Sequence, residues 1–113
     1  MSGTDTDIIV SSGNIFEDLG FSDAQERLAK AELAHKIGTV IRDRRLTQTA
    51  AAKILSIDQP KVSAIVSGRL AGFSFERLIH FLTLLGQDVA ITVTETPPSR
   101  PVGQLTVGVA RQP

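Results

Sequence analysis

A chain of 113 residues has room for one compact domain with short tails and none for a second large domain. Hydrophobic residues make up 42% of it, but there are only five Phe and no Trp or Tyr, so the core has to be aliphatic, which favours a compact helical bundle. The absence of Cys excludes disulfides, thiolate metal sites and a Cys nucleophile. The first residues carry Asp5 and Asp7 rather than a basic stretch ahead of an apolar run, and no run of about 18 apolar residues occurs. A soluble, cytoplasmic protein with no membrane partner is therefore expected. The formal net charge is zero, yet the signs are separated along the chain. Residues 41–90 carry a net charge of +3 through Arg42, Arg44, Arg45, Lys53, Lys61, Arg69 and Arg77, whereas residues 1–40 carry −4. A basic middle beside an acidic start suggests a polyanion-binding face, although such asymmetry also arises on plain solvated surfaces.

In chain order, residues 1–21 read as an N-terminal arm, with Ile8-Ile9-Val10 and Ile15-Phe16-Leu19 as short apolar groups without a sustained period. Ser22 and Gln25 can cap each other's amides at the start of a first helix that runs to about Arg44, with Asp23 and Glu26 favourable at its positive end. Leu33, Ile37, Val40 and Ile41 fall on one buried stripe, and Gly38 is a weak point. Thr47 caps a second helix over Gln48 to Leu55, where Ala50, Ala51 and Ala52 allow a neighbouring helix to approach closely. Ser56-Ile57-Asp58 interrupts the pattern, and Asp58 caps a third helix that tolerates Pro60 in its first turn. Its buried face is expected to be Val62, Ile65 and Val66, and Gly68 ends it. Ser74 caps a fourth helix with Leu78, Phe81, Leu82 and Leu85 inward, stopped by Gly86.

Asp88 to Thr94 alternates with period two and is rich in β-branched residues, which predicts a strand. A lone strand needs a partner, and three are available: the same strand of a second subunit, Leu105 to Val109, or Ile8 to Val10. Residues 95–113 open with Pro97-Pro98 and read as a flexible tail. The expected fold is thus an all-α bundle of four to five helices with a short C-terminal β-strand, its domain spanning residues 22–94.

The stretch that carries function is TQTAAAKILSIDQPKVSAIVSG, residues 47–68: a short helix, a tight turn and a second short helix packed back onto the first. In a helix-turn-helix the first helix crosses the phosphate backbone and the N-terminal part of the second enters the major groove of double-stranded DNA. Gln59, Pro60, Lys61 and Ser63 open the second helix; a Gln amide can pair bidentately with adenine, and Lys can donate to guanine N7 and O6. Gln48, Lys53 and Arg69 are placed to hold phosphates. The alternative is that the helices only pack and these side chains are solvated. A dimer would set two such helices about 34–36 Å apart, one turn of DNA.

This segment resembles the Cro/cI-type, or xenobiotic-response-element (XRE), helix-turn-helix proteins, which have a lambda-repressor-like fold, over about Ile37 to Leu85. Ala50 and Ala51 stand where many relatives carry Glu or Leu. SSGNIFEDLGF, AKAELAHKI and IDQPKVSAIVSGRLAGFSFERLIHFLTLLGQDVAITV extend a narrower resemblance, to HigA-like antitoxins, over about residues 11–93. That resemblance implies a homodimer that binds its own operator and neutralises a toxin, a ribonuclease of the RelE/HigB type. The acidic Glu17-Asp18 beside Ile15, Phe16 and Leu19 is a candidate toxin-binding segment, or an arm that packs on its own domain.

Other chemistry finds no support in the sequence. His35 and His80 lie on different helices without metal-ligand spacing, and Ser11, Ser12 and Ser63 have no nucleophile-elbow context, so no metal, cofactor or catalytic activity is expected. The competing readings are a stand-alone regulator with no toxin and an inhibitor that binds a toxin but not DNA.

Overall fold

A computed structural model describes residues 23–108, in which four helices follow one another: α1 (Asp23–Asp43), α2 (Gln48–Leu55), α3 (Gln59–Val66) and α4 (Phe75–Leu84). The arm over residues 1–21, the capping role of Ser22 and the last residues of the tail lie outside the described residues. Each short helix starts where a side-chain oxygen takes up an orphan amide. Thr47 accepts from the Ala50 N–H at 3.0 Å, Asp58 from the Lys61 N–H at 3.2 Å and Ser74 from the Arg77 N–H at 3.1 Å. All three caps have extended backbone, so chain direction and hydrogen bonding agree on where helix begins.

The core lies where α1 packs against α3 and α4 and α2 packs on α3. Ile37, Val62, Ile65, Leu78 and Leu85 are its largest fully buried side chains. Leu33, Val40 and Ile41 complete the predicted stripe of α1, and the helix passes through Gly38 without a break. Ala51 is completely enclosed and Ala52 nearly so, which lets α2 lie close to its neighbours. Gly68 and Gly86 both adopt φ +81° and turn the chain after α3 and α4, a conformation that costs Gly no Cβ clash.

Two expectations are corrected. Val66 is 48% exposed rather than inward, because Val62 and Ile65 already define the buried stripe of a two-turn helix and Val66 falls at its edge. The strand at residues 88–94 is absent: the segment follows no regular element, and no backbone hydrogen bond joins it to another described segment. A strand exists only where its amides and carbonyls meet a second one. Of the candidate partners within the chain, Leu105 is half-buried and Val107 rests against the helical core, while Ile8 to Val10 lies outside the described residues. The chain reaches Val107 through a turn in which the Arg100 N–H donates to the Pro97 carbonyl at 3.0 Å.

Candidate nucleic-acid interface

The angle between α2 and α3 is set by the three residues between them. Ser56 takes φ +59°, and the Ile57 N–H turns back to the Ala52 carbonyl at 3.1 Å, a closure that satisfies an end-of-helix acceptor. Ile57 is half-buried against the core and anchors the turn. Asp58 then caps α3 immediately, so its first turn starts at a fixed distance from the end of α2.

This construction leaves the start of α3 in solvent. Gln59, Pro60 and Lys61 are all exposed, and Val62 and Ile65 face inward to hold the helix down. Ser63, one turn after Gln59, is half-buried. On α2, Gln48 is half-buried at the first position and Lys53 is exposed; Arg69 is exposed just beyond α3. The structure thus brings Gln59, Pro60 and Lys61 into one protruding turn with Ser63 behind them. Gln48, Lys53 and Arg69 lie on the flanking elements. Among the described residues, Lys53, Lys61 and Arg69 have no ion pair, the one salt bridge there being Lys30 to Glu26 at 3.0 Å on α1. Unpaired cations around a projecting helix start suit a polyanion, since they need not first break an internal contact.

Two positions escaped the sequence reading. The Thr49 hydroxyl donates to Gln59 Oε1 at 3.5 Å, a link from α2 to the first residue of α3 that depends on a contact ten residues apart. Ser67 is exposed one helical turn beyond Ser63, and its i, i+4 spacing from Ser63 is the signal that could have found it.

The two histidines, His35 and His80, are both on the surface. Among the described residues no group of three His, Cys, Asp or Glu side chains is placed to hold a metal ion, and no helix is long and apolar enough to cross a membrane.

Comparison with known proteins agrees with this geometry. The model of a family described as a helix-turn-helix domain matches residues 15–94. A solved structure described as an XRE-family transcriptional regulator is similar at 46% sequence identity and a TM-score of 0.74, covering 79% of this chain and 100% of its own. Among curated proteins none matches. With a capped two-helix unit, a projecting third helix and a family match over most of its length, the chain belongs to the helix-turn-helix domain family, among the XRE-type transcriptional regulators.

Proposed function

We propose that this protein is a sequence-specific repressor of its own operon, acting as a cytoplasmic homodimer, and that it is the antitoxin of a RelE/HigB-type ribonuclease toxin. The observation that carries the DNA-binding part is the exposed first turn of α3, Gln59 to Lys61, flanked by Lys53 and Arg69, which have no ion pair among the described residues. In this reading Gln59, Lys61 and Ser63 meet base edges and Pro60 packs beside them, while Gln48, Lys53 and Arg69 hold phosphates. The action is binding alone, with no catalytic step and no cofactor.

The antitoxin part is supported by the resemblance of residues 11–93 to HigA-like proteins and by the acidic Glu17-Asp18, which suits a basic ribonuclease. A stand-alone regulator is the second reading, favoured by the description of the similar solved structure as a transcriptional regulator. Co-expression with the product of the neighbouring gene, followed by purification and a mobility-shift assay on the shared promoter at stated salt, separates them. A co-purifying complex that shifts the promoter and rescues growth supports the antitoxin. Promoter binding with neither partner nor rescue leaves the stand-alone regulator, and no promoter binding in any state removes both.

A further inference from the structure

Eight large hydrophobic side chains are exposed among the described residues, and three of them, Val89, Ile91 and Val93, fall within the seven residues 88–94. Their exposures rise along the chain, at 37%, 75% and 90%. They alternate with Ala90, Thr92 and Thr94, so in an extended backbone all three share one face. The backbone of this segment has no hydrogen bond to any other described part of the chain. A β-branched, alternating segment whose amides and carbonyls are unpaired among the described residues is a template for a strand from elsewhere.

We propose that the missing strand is the same segment of a second copy, paired antiparallel about a twofold axis through Ile91. This rests on the dimeric DNA-binding reading above and identifies where the two copies meet. The register follows from the sequence. With the axis at Ile91, Val89 of one copy lies opposite Val93 of the other, Ile91 opposite Ile91 and Ala90 opposite Thr92. A shift by one residue sets Ile91 against Thr92 and turns the apolar faces apart. A shift by two keeps the faces but leaves a valine opposite Gln87 or Glu95. Only the Ile91 register pairs all three apolar residues with one another. Charge agrees, because Asp88 then faces Thr94 and Glu95 faces Gln87, with no like charges opposed. A two-stranded ribbon is marginal by itself in water, and Leu84, the last residue of α4 and four residues before the segment, is a further exposed apolar side chain. Such a contact is isologous: it closes at two copies and relates the two α3 helices by the same twofold.

The absence of cysteine makes the test direct. Ile91→Cys in the full chain sets one thiol opposite its copy, and Val102→Cys, at a residue 74% exposed outside the segment, is the control. Mild oxidation is expected to give a covalent dimer for Ile91→Cys and not for Val102→Cys. Ile91→Asp sets two carboxylates against each other at the axis. It is expected to sediment as a monomer with unchanged helical circular dichroism, still binding a single operator half-site but losing cooperative binding to two. A monomeric unmodified protein, equal crosslinking of both cysteine variants, or an Ile91→Asp protein that remains dimeric would overturn the proposal. A dimer that crosslinks at Ile91→Cys but ignores the promoter supports the pairing and removes only the operator reading.

Discussion

Exchanging Lys53 for Ala and, separately, Gln59 for Ala tests whether α2 positions the protein on DNA while α3 reads the sequence. Lys53 is exposed in the last turn of α2, so its removal breaks no ion pair among the described residues. If it neutralises one phosphate, one counterion-release event is lost and the slope of log affinity against log salt becomes shallower by about 0.9. Between 50 and 200 mM salt the deficit of the variant against the unmodified protein should therefore shrink by about 3.5-fold, on operator and random DNA alike. Gln59→Ala should behave oppositely. Losing one bidentate base contact costs about 1–3 kcal/mol, or about 5- to 150-fold, on the preferred site only, with the salt slope unchanged. Fluorescence anisotropy titrations of both variants on both DNAs across that salt range give the four curves needed. A salt-independent deficit for Lys53→Ala, or an equal loss on both DNAs for Gln59→Ala, would refute this division of labour.

Further expectations concern the scaffold that presents this surface. Ser56→Gly relieves a left-handed residue at the turn and should raise stability by about 0.5–1 kcal/mol, read as a higher urea midpoint at unchanged slope. Ala51→Leu forces a larger side chain into a position with no exposed surface, and should cost about 1–3 kcal/mol and weaken DNA binding by displacing α2. Asp58→Ala removes the cap of α3 and should cost about 1 kcal/mol, with Asp58→Asn recovering most of it in thermal melts. Gly86→Ala requires φ +81° of a residue with a Cβ and should cost about 1–2 kcal/mol by the same measurement.

What was legible in the sequence was whatever local chemistry decides. Thr47, Asp58 and Ser74 each carry a side-chain oxygen three residues before an amide that needs one, and each is the cap the structure shows. The Leu33, Ile37, Val40 and Ile41 stripe works because one helix period fixes one face. What was not legible depends on groups remote in sequence or on another molecule. Val66 continues an apolar run, and only the crossing of α3 over its neighbours decides that it lies at the rim. Residues 88–94 have strand chemistry, but no local pattern supplies the second strand. Within the candidate interface, the exposed start of α3 followed from its cap and its inward Val62 and Ile65. The Thr49 to Gln59 contact spans the turn and had no sequence signature.

Charge shows the same limit. The seven cations of residues 41–90 suggested one basic surface, but the fold commits several of them elsewhere. The Arg77 guanidinium lies 5.3 Å from the ring centres of both Phe73 and Phe81, which themselves meet edge to face, so it covers the rim of the core. Arg42 donates to the Thr39 hydroxyl at 3.4 Å on its own helix. A Cβ on Gly86 would come within 2.9 Å of Arg44 Nη2, which places that cation over the carboxyl end of α4, where a helix dipole favours it. Lys53, Lys61 and Arg69 remain around α2 and α3 without an ion pair among the described residues. A basic stretch in a sequence is thus an upper bound on a nucleic-acid surface, and the fold decides which of its charges are left for the phosphates.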